Sequence, residues 1–239
     1  MKNLLLIFAG LLGTTAAFAQ DAQPPMQTTH LTGNVYASVS HGEYKGSWVP
    51  ANGLYIVTDK GIILINTPWS EDQTRQLADT LEQRYHQKIT HCFVTHFHAD
   101  CTAGLDFLKG KGVKTYSTQQ TQDLCKERNE KAAEFVFRKD TVFNINGVKL
   151  ETFYPGEGHT KDNIVIWLPQ TKVLYGGCFV KSMDATDMGF LGDGNVAAYP
   201  ASLRKLKSKF PHPAFLIPGH EGWQGGIEQV NHSLQLLAK

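Results

Sequence analysis

Neither sign of charge prevails in this sequence of 239 residues, where 23 lysines and arginines stand against 22 aspartates and glutamates. A nucleic-acid groove or a polybasic membrane patch needs a basic excess, so both are excluded as partners. Cysteine is scarce, with four in all at positions 92, 101, 125 and 178. That number rules out a scaffold held by a dense disulfide framework, although two disulfides in an oxidising compartment remain compatible with it. No repeat, low-complexity stretch or linker divides the chain, so one domain with one large core is expected. Long apolar runs are missing too, apart from Leu4 to Leu12, which falls short of the about 20 residues of a membrane span.

That short run has a recognisable setting. Met1-Lys2-Asn3, the apolar stretch after it and Ala17-Phe18-Ala19 have the n-region, h-region and A-x-A layout of a secretory signal peptide. Cleavage is expected after Ala19, leaving residues 20–239 as a single exported domain. A periplasmic location, no membrane partner once the leader is gone, and a monomer are the corresponding expectations. Losing Lys2 levels the two signs of charge.

Hydrophobic periodicity alternates between two and 3.6. Residues 34–39, 53–58 and 62–65 predict strands, the last two joined as a hairpin through Asp59-Lys60-Gly61. Ser70 and Gln73 form an S-x-x-Q box ahead of Leu77, Leu81 and Tyr85, which predicts a helix over 71–87. The apolar run 89–94 predicts a buried strand. Beyond it the pattern gives a helix at 102–109, a strand at 112–116 and a helix at 118–129. Strands follow at 141–143, 148–154, 164–168, 173–176 and 214–217. Leu203, Leu206 and Phe210 mark one late helix, and Ile227, Val230, Leu234 and Leu237 the other. Strands with helices at intervals in both halves favour sheets inside and helices outside, for which a four-layer α/β sandwich is one solution.

The chemistry-bearing residues fall at the ends of these strands. His96-Phe97-His98-Ala99-Asp100 puts three metal-ligand types into five residues directly after an apolar strand, and imidazole nitrogen and carboxylate oxygen both suit Zn²⁺. His159 lies between glycine-containing turns in Gly156-Glu157-Gly158-His159. Cys178 follows Gly176-Gly177, and His220 follows Pro218-Gly219. A lone histidine among ten is ordinarily a surface residue, and a lone cysteine a small buried apolar one. Four strand-end loops that each deliver a donor outweigh that plain alternative.

Those runs, in this order and over most of the chain, resemble the signature motifs of the metallo-β-lactamase superfamily. The cysteine narrows the resemblance to subclass B1. It implies the four-layer αβ/βα sandwich with two mixed β-sheets inside, and two Zn²⁺ per chain. His96, His98 and His159 would hold one ion, and Asp100, Cys178 and His220 the other. A ligand Cys178 would leave an odd number of cysteines for disulfides. The implied activity is hydrolysis of the β-lactam ring of penicillins, cephalosporins and carbapenems by a metal-bound hydroxide, giving antibiotic resistance.

By the same resemblance, Lys181 in Cys178-Phe179-Val180-Lys181 would bind the substrate carboxylate, and Asn195 in Leu191-Gly192-Asp193-Gly194-Asn195 would contact the substrate at its developing oxyanion. Asp100 would also orient the hydroxide. The segment Gly42 to Trp48 would be a mobile loop over the substrate, with Tyr44 and Trp48 as apolar contacts. Three positions depart from the pattern: Asn66 where an aspartate is usual, Cys101 where many members carry arginine, and Ala103 in place of a glycine. None removes a ligand.

Two other functions share part of this pattern. A glyoxalase II-like thioesterase has the same H-x-H-x-D run but ordinarily an aspartate where Cys178 stands. A non-catalytic exported zinc-binding protein would close its coordination with four protein ligands. Ser202-Leu203-Arg204-Lys205 satisfies S-x-x-K, yet lies on a predicted amphipathic helix without the companion motifs of a serine β-lactamase.

Overall fold

A strand apolar at every position must be covered on both faces. The computed structural model, which describes residues 22–138 and 140–239, meets that requirement with two sheets packed face to face and helices on each outer side. The expected leader, residues 1–19, lies outside the described residues.

The first sheet runs in sequence order through β1 (Gln27–Thr32), β2 (Val35–Tyr44), β3 (Ser47–Thr58) and β4 (Gly61–Ile65). After α1 (Glu71–Tyr85) come β5 (Ile89–Phe93), the short α2 (Ala99–Thr102) and α3 (Leu105–Gly110), β6 (Lys114–Thr118), α4 (Gln119–Glu127) and β7 (Phe135–Phe137). Its first four strands are antiparallel and its last four parallel, β4 being shared. The second sheet has the order β12-β11-β10-β9-β8, with β8 (Val142–Ile145), β9 (Val148–Phe153), β10 (Val165–Leu168), β11 (Val173–Gly177) and β12 (Phe215–Pro218). Its two helices are α5 (Tyr199–Lys209) and α6 (Glu228–Leu237).

The strand period of two assigns alternate residues to different layers. Leu54, Ile56, Ile63 and Ile65 meet Ile166, Leu168, Val173, Tyr175 and Ile217 between the sheets. Their neighbours Tyr55, Ile62 and Leu64 face α1 and α3 through Leu77, Leu81, Leu105 and Leu108. On the far side Val165, Leu174 and Leu216 face Leu203, Leu206 and Val230 of α5 and α6. The four-layer arrangement expected from the sequence is what forms.

Several local expectations need correction. Strands β1 and β7 are absent from the sequence pattern because both are half-exposed edge strands with no buried run. The helix expected at 102–109 is broken into α2 and α3 at Gly104, where a Cβ would collide with Thr74 of α1. The capping box is half made: Ser70 accepts from the Gln73 N–H, but the Gln73 amide pairs with both backbone groups of His41, at 2.9 and 2.8 Å, and so pins α1 to β2. Residues 42–48 belong to a continuous β2–β3 hairpin that turns at Lys45-Gly46, both at positive φ. All four cysteines are buried and free, so no disulfide forms. Among the described residues no helix is long and apolar enough to cross a membrane.

Candidate metal centre

The sheets carry their chemistry at one edge. His96 and His98 follow β5, and Asp100 lies in the first turn of α2, whose start at His98 turns the carboxylate back toward the strand end. His159 sits in the loop between β9 and β10, Cys178 directly after β11, and His220 directly after β12. One sheet therefore supplies three donors and the other sheet three. A residue with any side chain at position 219 would collide with Cys178, so Gly219 lets the last two loops approach.

The six side chains converge as two clusters. His96 Nε2 stands 3.1 Å from His98 Nδ1, and His98 Nδ1 stands 3.2 Å from His159 Nε2. In the second cluster Cys178 Sγ lies 3.0 Å from Asp100 Oδ2 and 3.3 Å from His220 Nε2, with His220 Nε2 3.4 Å from the same carboxylate. Tetrahedral zinc with imidazole ligands sets donor separations of about 3.3 Å, given Zn–N bonds near 2.05 Å. Asp100 Oδ1 is buried without a hydrogen-bond partner, 3.6 Å from His96 Nε2, between the clusters. Both donor sets therefore fit a zinc ion.

Charge reinforces the fit. Burial would raise the Asp100 carboxyl, but the hydrogen bond and charge of His220, with the charge of His96, hold it well below the ordinary carboxylate range. The Cys101 thiol, followed by the charges of His220 and His96, holds Cys178 well below the ordinary thiol range against burial and the Asp100 charge. Two anionic groups thus stand in contact, and their combined charge matches one divalent cation. Burial lowers the His98 and His159 imidazoles, keeping them neutral and free to donate to a metal.

Supporting contacts set the ring orientations. The remaining nitrogen of His98, Nε2, faces Asp193 Oδ2 at 3.1 Å, and Asp193 is held in turn by Arg128 at 3.0 Å. His220 Nδ1 faces the Pro50 carbonyl at 2.7 Å, and His96 Nδ1 faces Cys101 Sγ at 3.2 Å. Each pair leaves the opposite nitrogen directed at the cluster. Asn66 accepts from the Thr95 N–H at 2.9 Å, fixing the backbone one residue before His96.

A cleft of about 650 Å³ opens over both clusters. Tyr44 and Lys181 line it. Lys181 is 8% exposed, and its ammonium has no ion pair or hydrogen bond among the described residues. Trp48 does not line the cleft: strand alternation places Val49 on that face and Trp48 on the other. Asn195 is also outside it, its side-chain N–H₂ donating to Glu157 at 2.7 Å and its oxygen accepting from the Ala198 N–H at 3.1 Å. In their places the cleft has Trp69, whose ring lies 5.6 Å from that of His220, and Phe190, 5.9 Å from that of His98. No periodicity or motif in the sequence marks either aromatic. Asp193, two residues before Asn195 in the same Gly-rich run, carried the only available signal for its role.

Comparison with known proteins agrees with this geometry. The family model of the metallo-beta-lactamase superfamily matches residues 46–220. A "metallo-beta-lactamase type 2" from Elizabethkingia meningoseptica is 34% identical over 239 residues, covering 100% of this chain and 95% of that protein. Another protein of that name, from Bacteroides fragilis, is 36% identical over 241 residues, covering 99% and 96%. The solved structure of a metallo-beta-lactamase from Pontibacter korlensis superposes with a TM-score of 0.87 at 32% identity, covering 90% of this chain and 100% of that one. Two mixed sheets, two donor clusters at their shared edge and these full-length likenesses together show that the chain belongs to the metallo-β-lactamase superfamily.

Proposed function

We propose that this protein is a zinc-dependent β-lactamase of the B1 kind, exported to the periplasm, that opens the lactam ring of penicillins, cephalosporins and carbapenems and so gives antibiotic resistance. The observation that carries this reading is the pairing of two three-donor clusters with an unpartnered buried cation, Lys181, in one cleft. Three protein donors per ion leave coordination positions open, which a purely structural site would close. A cysteine in the second cluster, where a thioesterase of this superfamily ordinarily has aspartate, favours the lactamase.

Zinc held by these residues supplies a Lewis acid and lowers the pKa of a water to about 7. The chain's own groups do the rest of the positioning. Lys181 donates to the carboxylate that β-lactams carry beside the ring nitrogen, and burial of its stem fixes the ammonium in place. Asp100 joins the clusters: its Oδ2 contacts Cys178 and His220, and its buried, unpartnered Oδ1 stands 3.6 Å from His96 Nε2. Asp193 and Arg128 hold His98, and Cys101 holds His96, so the three-histidine face keeps its shape during turnover. The Asn195 amide donates to Glu157 at 2.7 Å, so contact with a lactam carbonyl requires that bond to be exchanged.

Zinc-loaded protein tested against one penicillin, one cephalosporin and one carbapenem, with and without chelator, decides the matter. Chelator-sensitive ring opening is expected, and its absence for all three sinks the reading.

A further inference from the structure

A strand at the edge of a sheet offers a row of unpaired backbone groups to another chain, and folded proteins ordinarily blunt it with charge, proline or a bulge. At one end of the first sheet β1 is blunted in this way: Gln27, Thr28, Thr29 and His30 are polar, and the ladder is irregular between His30 and Thr32. At the other end β7 is Phe135-Val136-Phe137, apolar throughout, and its only strand neighbour among the described residues is β6. Phe135 and Val136 are 41% and 44% exposed, and Val142 of β8, the edge strand of the second sheet, is 54% exposed. The rings are held in place. Phe135 stacks on Tyr116 with centroids 5.3 Å apart, and Phe137 meets Phe143 of β8 edge-on at 5.2 Å, so the two sheet edges form one apolar seam.

We infer that β7 is the dimerisation edge of this protein, pairing antiparallel with β7 of a second copy about a two-fold axis at Val136. The sequence around Val136 is complementary to itself under that operation. With Val136 opposite its own copy, Phe135 stands opposite Phe137 of the second copy, which gives two aromatic cross-strand pairs on the face turned toward the second sheet. Glu134 stands opposite Arg138 of the second copy, which gives two pairs of opposite charge on the other face. Both charged residues are exposed, and at about 3.3 Å per residue they lie about 13 Å apart along one strand, too far to pair with each other within a chain. A register shifted by two residues sets Glu134 or Arg138 against Val136 and leaves the charges unmatched. The match of ring and charge at each position favours a second copy over a foreign strand.

Sedimentation velocity of the zinc-loaded protein from about 1 µM to about 1 mM tests this, a range that spans the weak affinities of small interfaces. The weight-average sedimentation coefficient is expected to rise with concentration toward that of a dimer. Glu134→Arg and Arg138→Glu each set like charges opposite one another and are expected to raise the dissociation constant about tenfold, and the double variant that exchanges both charges to return it to within about threefold of wild type. Val136→Lys places two ammonium groups at the axis and is expected to abolish the dimer. Zinc content and melting temperature are read on every variant. The monomer expected from the sequence, persisting over the whole range, overturns the inference and leaves the edge to an extended peptide of another protein. A dimer that forms equally well in both single charge variants, or in Val136→Lys, overturns it too, because its interface then lies elsewhere. So does an exchange variant as weak as the single ones with zinc content and melting temperature equal to wild type, because the register is then wrong.

Discussion

The side-chain amide of Asn66 donates to the hydroxyl of Tyr175 at 2.8 Å and so ties the end of β4 in one sheet to β11 in the other. Asn66 takes the left-handed conformation, at φ 60°, that asparagine tolerates, and the same side chain accepts from the Thr95 N–H. It is no metal donor. It holds together the two strand ends that carry His96 and Cys178.

Replacing Asn66 by alanine removes four hydrogen bonds in a buried site and leaves the Thr95 N–H without its acceptor. The expected cost is about 2–3 kcal/mol. Thermal unfolding of the zinc-loaded variant reads this as a melting temperature lower by about 4–12 °C, at roughly 2–4 °C per kcal/mol for a domain of this size. An unchanged melting temperature refutes the tie.

Removing the Lys181 ammonium takes a charge-assisted hydrogen bond from the substrate carboxylate, worth about 1.5–3 kcal/mol. Steady-state kinetics of Lys181→Ala are expected to show kcat/KM reduced roughly 10- to 100-fold, mostly through KM. A loss of kcat at unchanged KM contradicts carboxylate binding.

Asp193→Ala frees the second nitrogen of His98. Loss of such an orienting partner costs about 10- to 100-fold in metal affinity. Competition with a chromophoric chelator measures it, and zinc affinity equal to wild type disproves the orienting role.

Thiol reactivity separates the cysteines. Burial raises Cys92 and Cys101, and Cys125 is pushed up to about 12, so all three are expected to resist alkylation at neutral pH. Cys178 alone is held as a thiolate. Iodoacetamide treatment of the native, chelated protein, followed by mass spectrometry, is expected to label only Cys178, and zinc to protect it. Labelling at Cys101 instead contradicts the assignment.

In the metal-free protein burial lowers the His96 imidazole, but the Cys178 and Asp100 charges outweigh it and raise it from 6.5 to about 9. A raised pKa means that this imidazolium stabilises the metal-free fold fully below pH 6.5 and that the contribution is lost as pH rises through about 9. Zinc has to displace that proton. Zinc affinity is therefore expected to increase with pH across the same window, while the melting temperature of chelated protein declines. A flat affinity profile between these limits counts against it.

Much of the metal centre was legible along the chain, and the reasons are local. His96, His98 and Asp100 lie within five residues of one strand end, and His159, Cys178 and His220 each follow an apolar run beside glycines, so their donors need no long-range knowledge to find. The lining of the cleft was not legible. Trp48 and Val49 are adjacent, and only the pleat of β3 puts Val49 in the cleft. Asn195 and Phe190 share one loop, and the burial of Met188 and Leu191 on either side of Phe190 sets that ring in the cleft. The edge strands β1 and β7 escaped because their pairing with β2 and β6, and not an apolar pattern, makes them strands.

By itself the sequence determined the donor types, their order and the sheets that carry them, because periodicity and strand-end placement are properties of short segments. Tertiary structure alone decided that three donors from each sheet meet as two clusters bridged by Asp100, and that Phe190 and Trp69 flank them. Those outcomes depend on how two sheets pack and on how loops are anchored, which sets side-chain direction through contacts between residues far apart in the chain.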